Sequence, residues 1–407
     1  MGTSNRKLVF LVLCGFILAA GILSAQDWPQ WRGTNRDGKA TGFAAPAIWP
    51  KELKQQWKVT IGPGDSTPAL VGDKLFAFAR EGAEEIILCL NAADGKEIWR
   101  DKYPAPAVTG AAGRHPGPRS SPTIADGKVI TLGVGGTVSC LDAASGKVLW
   151  RKDDASGSVP KFFTSMSPLV TDGLAIAHIG GEGKGIVIAY GLASGDIKWK
   201  WSGEGPGYAS PVLMTADGVK QVVIETEKSV IGLAVADGKL LWQAPFAPSG
   251  MGTNSATPIV DGQTVIVSGQ GRGTKAFKIV KEGDAFTAKE VWNGKTGTVF
   301  NTPVLKDGKL FGISEGGFLY AASAADGKDL WTTSDKLDRF GAVIDAGSCM
   351  LALSTNSNLI AYEPSDKEYK ELARIKVSDK QIYAHPVVAG KRIFIRDTDS
   401  VALMTLE

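Results

Sequence analysis

The feature that most constrains this chain is a β-rich phrase that recurs along most of its length. Each copy opens with a Ser/Thr-Pro start motif, continues through short runs rich in Val, Ile, Leu and Thr, and closes on a turn followed by Trp. The start motifs are STPALVGDKLF from Ser66, SSPTIADGKVI from Ser120, SMSPLVTDGLAI from Ser165, YASPVLMTADGV from Tyr208, SATPIVDGQTV from Ser255, NTPVLKDGKLF from Asn301 and YAHPVVAGKRI from Tyr383. An eighth copy, FGAVIDAGSCM from Phe340, lacks the proline. Such repetition predicts one repeat architecture rather than several unrelated domains.

The end motifs give the period of the repeat. They read ADGKEIW, ASGKVLW, ASGDIKW, ADGKLLW, AKEVW and ADGKDLW, and they end at Trp99, Trp150, Trp199, Trp242, Trp292 and Trp331. Together with Trp57, which lies upstream of any start motif, these tryptophans are 39 to 51 residues apart, which fits a four-stranded propeller blade. Asp-Gly and Ser-Gly supply the positive φ angles of tight hairpin turns, so the runs they join are antiparallel strands. A single blade cannot bury both of its faces, whereas a ring of blades can.

The two ends of the chain predict how this ring closes. The last start motif, at Tyr383, is followed by only enough chain for three strands, and the orphan strand around Trp57 supplies the fourth. The sequence therefore predicts an all-β fold: an eight-bladed β-propeller of four-stranded antiparallel blades, closed by an N-terminal strand around Trp57. A seven-bladed ring is the alternative, because the seventh copy lacks both its proline and its tryptophan. We expect residues 51–407 to form this single ring, with each repeated Trp docked between its blade and the next.

Residues 26–50 precede the ring and contain the segment WPQWRGTNRDG. We expect this N-terminal strap, which carries Trp28, Trp31 and Arg32, to pack on the outside or rim of the ring. The alternative is a hook that docks a partner.

The first 25 residues have the pattern of a secretory signal peptide. A basic start is followed by an uncharged apolar run of 16 residues from Leu8 to Leu23, and then by a polar segment. The run is shorter than the ~20 residues that a membrane-spanning helix needs, so we expect cleavage after Ala25, no span in the mature chain, and a periplasmic or secreted protein. An uncleaved anchor and a lipid-modified Cys14 are the alternatives, and the bulky Leu13 before that cysteine disfavours the second.

Charge and cysteine content exclude two further classes. The net charge is +3, and no run of lysine or arginine provides the concentrated positive surface that nucleic-acid binding requires. The cysteines beyond the signal peptide are Cys89, Cys140 and Cys349. An odd number argues against a disulfide framework, and we expect Cys89 and Cys140 to be buried thiols on neighbouring blades. We expect a monomer that binds no nucleic acid.

The end motifs, written A-x-[DS]-G-K-x-x-W, together with the Ser-Pro start motifs resemble the quinoprotein-like (PQQ-like) β-propeller repeat family. The segments WPQWRGTNRDG and GPRSSP are also similar to a bacterial subgroup of secreted PQQ-binding-like proteins. The resemblance implies an eight-bladed ring outside the cytoplasm. It does not imply one activity, since members include quinone-dependent alcohol dehydrogenases and the non-enzymatic propeller lipoprotein of the outer-membrane barrel assembly machinery.

A ligand funnel is expected on the face opposite the ADGK-type turns. The loops that lead into the innermost strands, and those that join second and third strands, are longer and more varied. The candidate funnel residues on these loops are His115, Arg119, Ser120, Tyr208, Asn254, Arg272, Asn301, Arg339 and His385. Their arginines and amides suit an anion or a carbonyl-rich ligand, and the alternative is that they satisfy backbone carbonyls of the loops.

Catalytic chemistry has little support in the sequence. The dehydrogenases of the resembled family hold calcium on carboxylate and amide oxygens, use an aspartate base, and clamp the quinone between a tryptophan and a disulfide of two adjacent cysteines. This chain has no adjacent cysteines, and its candidate acidic groups, Glu182, Glu225, Glu315 and Asp397, are scattered. His115, His178 and His385 show no zinc-type spacing. We therefore expect no catalytic residue, metal or cofactor, with PQQ and calcium as the alternative.

These observations predict an exported binding or assembly scaffold that presents its loop funnel to a protein, glycan or small ligand. A PQQ-dependent alcohol or sugar dehydrogenase and an outer-membrane protein assembly factor are the alternative functions.

Overall fold

The computed structural model describes residues 27–155, 157–250 and 252–406, and the predicted signal peptide lies outside them. The described chain contains 32 strands and one short 3-10 helix, Gly110–Arg114. The strands form eight four-stranded antiparallel sheets, so the all-β, eight-bladed prediction is confirmed. No helix in the described ranges is long and apolar enough to cross a membrane.

Strand β1 (Lys54–Thr60) belongs to the last blade, and blades 1 to 4 follow it in chain order. Blade 1 consists of β2 (Ala69–Val71), β3 (Lys74–Glu81), β4 (Glu84–Asn91) and β5 (Glu97–Pro104). Blade 2 consists of β6 (Thr123–Ala125), β7 (Lys128–Leu132), β8 (Val138–Asp142) and β9 (Val148–Lys152). Blade 3 consists of β10 (Leu169–Thr171), β11 (Leu174–Gly181), β12 (Lys184–Gly191) and β13 (Ile197–Gly203). Blade 4 consists of β14 (Val212–Ala216), β15 (Val219–Glu225), β16 (Ser229–Ala234) and β17 (Leu240–Pro245).

The remaining blades repeat the same order. Blade 5 consists of β18 (Ile259–Asp261), β19 (Thr264–Gly269), β20 (Gly273–Glu282) and β21 (Ala285–Gly294). Blade 6 consists of β22 (Val304–Lys306), β23 (Lys309–Ile313), β24 (Phe318–Ser323) and β25 (Asp329–Lys336). Blade 7 consists of β26 (Gly341–Asp345), β27 (Met350–Ser354), β28 (Asn358–Tyr362) and β29 (Glu371–Lys376). Blade 8 contains β30 (Val387–Ala389), β31 (Arg392–Arg396) and β32 (Ser400–Thr405), and is completed by β1.

The ring closes where the sequence predicted. Strand β1 pairs antiparallel with β32, with Trp57 opposite Leu403, and forms the outer strand of blade 8. The first and last strands of the propeller are thus hydrogen-bonded to each other. Blade 7 forms a full four-stranded sheet although its start motif has no proline and its outer strand no tryptophan. The seven-bladed alternative is wrong.

The two faces of the ring differ in their connections. In blade 1, the N–H of Ala92 in the last turn donates to the carbonyl oxygen of Asp73 in the first turn, so both turns lie on one side, the turn face. Equivalent bonds join Ala143 to Gly127 and Ala324 to Gly308 in blades 2 and 6. The loops between blades therefore lie on the opposite side, which we call the loop face.

The repeated tryptophans join neighbouring blades. The ring of Trp99, for example, lies against Gly146 of the next blade, and its Nε1–H donates to the carbonyl oxygen of Ala143 at 3.2 Å. The same bond to the following blade is made by Trp57, Trp150, Trp199, Trp292 and Trp331. Trp242 differs and donates to Gln221 of its own blade, because blade 5 replaces the ADGK turn with a long β20–β21 hairpin. The predicted docking between blades is present, with this one exception.

The residues that precede the start-motif prolines form a belt around the axis. In blades 1 to 3, each backbone N–H at this position donates to the hydroxyl of the next blade. The bonds run from Thr67 to Ser121 (3.1 Å), Ser121 to Ser167 (2.9 Å) and Ser167 to Ser210 (2.9 Å). Two further bonds of the belt join Thr257 to Thr302 (2.8 Å) and His385 to Thr67 (2.9 Å). This hydroxyl belt explains why Ser or Thr recurs before the proline.

Residues 28–39 of the N-terminal strap do not pack on the outside or rim of the ring, so the prediction is wrong for this part. Trp28 is 1% exposed and forms a β-bridge with Leu70 of β2, while Lys39 forms a parallel bridge with Asp345 of β26. Between these two bridges the strap crosses the propeller axis. It contacts Leu70, Thr123, Ser167, Pro211, Thr257, Thr302, Asp345 and His385 in blades 1 to 8, respectively. We call the segment an axial plug because it contacts every blade at its inner strand or at the residues that lead into that strand.

Candidate functional site

A cavity of about 470 Å³ opens on the loop face of the ring. It is lined by the loops of all eight blades and by Trp31 of the plug, and we call it the funnel. Its polar lining residues are Asp65, Arg114, His115, Arg119, Ser165, Ser167, Ser210, Thr253, Ser255, Thr257 and His385. Its aromatic lining residues are Trp31, Phe162, Tyr208, Phe300, Phe340 and Tyr383. The loop face thus carries a concave site, as expected from the variable loops.

The floor of the funnel is formed by Trp31 and His385. The indole Nε1–H of Trp31 donates to Thr257 Oγ1 at 2.9 Å, and its ring lies 4.4 Å from the imidazole of His385. Burial, with a smaller contribution from the nearby Arg32 guanidinium, lowers the pKa of His385 to about 3. His385 is therefore a neutral ring at physiological pH, and it packs against the Trp31 ring at a tilt of 53°.

Two buried arginines hold the plug beneath this floor. The guanidinium of Arg32 donates to the carbonyl oxygens of Thr302 (3.0 Å) and Pro303 (2.9 Å) of blade 6. Arg36 is bound to Ser167, Pro168 and Pro211 of blades 3 and 4 and to Thr123 of blade 2. Both backbones have positive φ, 60° and 58°, and both side chains are almost fully buried. Burial lowers the pKa of Arg32 to about 10 and that of Arg36 to about 9, so both remain charged at neutral pH.

The funnel wall is aromatic on two sides. Phe300 and Phe340 stack with ring centroids 4.7 Å apart and an interplanar angle of 6°, and Tyr383 meets the edge of Phe340 at 5.7 Å. Phe162 and Tyr208 form a second pair at 5.9 Å. Phe300 is 46% exposed, which leaves aromatic surface available to a ligand. The sequence carried a signal for this wall, because Phe340 and Tyr383 are the first residues of their start motifs.

The insertion before blade 2 provides a histidine–carboxylate contact and the arginine that supports its loop. His115 Nδ1 lies 2.8 Å from Asp65 Oδ2, and the His115 ring meets the edge of Tyr383 at 4.5 Å. Arg119 donates to the carbonyl oxygens of Phe162 (2.8 Å), Ala112 (3.3 Å) and His115 (2.9 Å). Burial lowers the pKa of Arg119, and its donors serve the loops rather than a ligand.

The structure brings four of the predicted funnel residues to the cavity, namely His115, Arg119, Tyr208 and His385. Four others, Ser120, Asn254, Arg272 and Asn301, do not line it.

The two amides and Arg272 bind loops instead of facing the cavity. Asn254 Nδ2 donates to the carbonyl oxygens of Thr226 (2.8 Å) and Phe246 (3.0 Å), while Arg272 donates to Phe246 and to Asn254 Oδ1, both at 2.7 Å. The amide of Asn301 donates to the carbonyl oxygen of Arg339 at 3.2 Å. These three side chains therefore donate to backbone carbonyl oxygens of the loops, as the alternative to ligand binding predicted.

The predicted residue Arg339 lies beside the funnel in a second cavity of about 540 Å³, which we call the side chamber. The two cavities share Asp65, Arg114, His115, Phe340 and Tyr383. The remaining lining of the side chamber is Pro63, Gly64, Pro116, Arg339, Gln381 and Thr398. The sequence interpretation missed Arg114, which is exposed at the end of the 3-10 helix.

The funnel does not fit the calcium–quinone site of the resembled dehydrogenases. Such a site needs several carboxylate and amide oxygens around a metal, and Asp65 is the single carboxylate among the lining residues described. The candidate acids lie elsewhere: Glu225 is buried, Glu315 accepts from the N–H of Gly271, and Asp397 pairs with Lys58. No group of three metal-ligating acidic, histidine or cysteine side chains occurs in the described ranges. The cysteines that the structure describes are separate buried thiols.

The ring, its axial plug and its loop-face funnel define a PQQ-like repeat propeller with a concave binding surface. A family whose model is described as "Outer membrane protein assembly factor BamB" matches residues 47–199 and 83–333. This match covers more than half of the chain, which therefore belongs to that family.

Individual relatives agree with this assignment. The outer membrane protein assembly factor BamB of Yersinia pestis is 22% identical over 360 residues, covering 84% of this chain and 85% of that protein. The crystal structure of BamB from Moraxella catarrhalis superposes with a TM-score of 0.65 at 16% identity, covering 87% of this chain and 97% of that one. The quinohemoprotein alcohol dehydrogenase of Comamonas testosteroni superposes with a TM-score of 0.72 at 14% identity, covering 95% and 81%. At these identities the superpositions show the fold alone.

Proposed function

We propose that this protein is an exported scaffold for outer-membrane protein assembly that binds a protein partner in its funnel. The observation that carries the proposal is a funnel to which all eight blades contribute, with an aromatic wall and, among the residues described, a single lining carboxylate. Exposed aromatic side chains in a concave site are a common feature of binding surfaces. The family description and the secretory pattern of the first 25 residues support the same role outside the cytoplasm.

The axial plug supports this proposal on physical grounds. The strap contacts all eight blades at the axis, and these contacts tie together the bases of the loops that line the funnel. A preorganised surface loses little conformational entropy when a partner binds, which favours affinity.

Site-specific photo-crosslinking in the native host tests the proposal. A benzophenone amino acid replaces Phe300 on the funnel wall in one strain and Leu149, 42% exposed on the outer strand of blade 2, in a control strain. We expect protein adducts, identified by mass spectrometry as outer-membrane proteins or assembly components, at position 300 and not at position 149. Adducts with glycan alone, or equal labelling at both positions, would contradict the proposal.

The competing activity is tested on the purified protein. The assay supplies PQQ, calcium and an alcohol or sugar, and measures the reduction of an electron-acceptor dye. Dye reduction would favour a quinoprotein oxidoreductase over the proposed scaffold. We expect neither PQQ binding at micromolar concentration nor dye reduction, because Asp65 is the only carboxylate that lines the funnel in the described chain. N-terminal sequencing of the exported protein tests the proposed cleavage after Ala25.

A further inference from the structure

The side chamber holds two arginines that no carboxylate neutralises among the described residues. Arg114 and Arg339 both line it, both are exposed, and neither forms an ion pair within the described ranges. The guanidinium of Arg339 lies 5.6 Å from the ring centroid of Phe340, which directs it along the aromatic wall. Unpaired guanidinium groups in a cavity suit a carboxylate, which they bind through paired N–H donors.

The other ionisable groups near the chamber are hydrogen-bonded to the protein. Asp65 pairs with His115 at 2.8 Å, and the Nε–H of the buried Arg396 donates to the carbonyl oxygen of Gly64. Asp338 accepts hydrogen bonds from the hydroxyl of Thr355 and the N–H of Phe340. The lining of the chamber carries the guanidinium groups of Arg114 and Arg339 against the single carboxylate of Asp65, so its net charge is positive and an anionic group is its electrostatic complement.

The two cavities are adjacent and differ in chemistry. The funnel wall offers the stacked rings of Phe300 and Phe340, and the side chamber offers Arg114 and Arg339. An extended polypeptide directs successive side chains to opposite sides at a rise of about 3.3 Å per residue, so neighbouring side chains enter different environments. A chain with an aromatic residue next to an acidic residue matches this pair of cavities.

We propose that the funnel and the side chamber bind one polypeptide segment, with an aromatic side chain against Phe300 and Phe340 and a neighbouring carboxylate on Arg114 and Arg339. This proposal rests on the proposed function, in which the partner is a protein. It adds the chemistry that the partner must carry.

Isothermal titration of the mature protein with three pentapeptides tests this inference. The probes are acetyl-GFDFG-amide, its neutral analogue acetyl-GFNFG-amide, and acetyl-GADAG-amide without aromatic rings. We expect the first to bind, the second to bind about tenfold more weakly because a charge-assisted hydrogen bond is lost, and the third not to bind. Raised salt should weaken the first and leave the second unchanged.

Variants locate the two contacts. Arg114→Gln and Arg339→Gln should each weaken the acidic peptide about tenfold and leave the neutral analogue unchanged. Phe340→Ala should weaken both aromatic peptides, and Lys200→Gln on the outer strand of blade 3 is the matched control. Circular dichroism confirms that each variant is folded.

Three outcomes would overturn the inference: equal binding of the acidic and neutral peptides, binding that is insensitive to both arginine variants, or no binding of acetyl-GFDFG-amide at millimolar concentration. If N-acetylphenylalanine bound as tightly as acetyl-GFDFG-amide, the inference would also be overturned, since the occupant would then be a small aromatic acid. Protein adducts at position 300 together with failed peptide binding would retain the proposed function and reject this inference alone.

Discussion

Arg36 provides a direct test of how the plug holds the ring. Its guanidinium donates to the carbonyl oxygens of Ser167 (3.2 Å), Pro168 and Pro211 (3.0 Å), and so links blades 3 and 4 at the axis. In Arg36→Gln these buried acceptors lose a charged donor. At about 1–2 kcal/mol for each of the three acceptors left without it, we expect the free energy of unfolding to fall by about 3–6 kcal/mol.

Equilibrium urea unfolding, followed by both circular dichroism and tryptophan fluorescence, measures this loss. Arg36→Lys keeps the charge but lacks the planar fork of donors, so we expect an intermediate loss. The control is Arg100→Gln, which removes an exposed ion pair with Glu97 and should cost less than about 1 kcal/mol. If Arg36→Gln lies within 1 kcal/mol of that control, the arginine–carbonyl bonds do not hold the ring at its axis.

Three further predictions concern packing and ionisation. Gly195→Ala places a Cβ 2.7 Å from the Trp150 ring, whereas Gly173→Ala, at a similar positive φ, meets nothing within 4 Å. In urea unfolding we expect Gly195→Ala to lower the free energy of unfolding by about 1–3 kcal/mol more than Gly173→Ala does. Equal losses would refute docking of the Trp150 ring on Gly195. Burial lowers the pKa of His385 to about 3 and that of His178 to about 4, so the unfolded chain binds protons first and stability falls as the pH drops below 6.5. Urea titrations from pH 7.5 to 5 should show this loss of stability. In His385→Thr we expect the free energy of unfolding to depend less steeply on pH, because only His178 then contributes. The same pH dependence in the variant and the wild type would contradict the prediction. The buried thiols are Cys89, Cys140 and Cys349. Burial raises their pKa to about 12, 12 and 11, so iodoacetamide at pH 8 should label them only after unfolding, as read by mass spectrometry.

The fold could be predicted because the repeat encodes its own geometry. Each Gly of an ADGK-type turn serves two needs at once: Gly146, with φ of 73°, makes the hairpin turn and leaves room for Trp99 of the preceding blade. Both needs are local to the motif, so they recur with it. Ring closure could also be predicted, since the strand around Trp57 had no other partner and the last copy lacked a strand.

The site was harder to predict because the sequence does not show which way a loop side chain points. Asn254 and Asn301 are polar residues at the start of blades, as a ligand-binding residue would be, yet both bind backbone oxygens. Loops packed against other loops leave unpaired carbonyls, and a short amide or a guanidinium reaches them. The aromatic wall is different, since the position three residues before the start-motif proline carries Tyr208, Phe300 and Tyr383 in blades 4, 6 and 8 and lines the funnel in each.

The strap was misplaced because its partners are backbone groups, which no sequence pattern displays. The inner strand of each blade has one unpaired edge, and the start-motif proline provides no N–H there. The backbone carbonyl oxygens at this edge, such as those of Pro168 and Pro303, still need hydrogen-bond donors at the propeller axis. Arg32 and Arg36 supply donors to these carbonyls from both ends of a short turn, because positive φ at each residue directs the two side chains to different blades. The Ser/Thr-Pro motif that defines the repeat thus leaves carbonyl acceptors at the axis, and the two strap arginines donate to those of blades 3, 4 and 6.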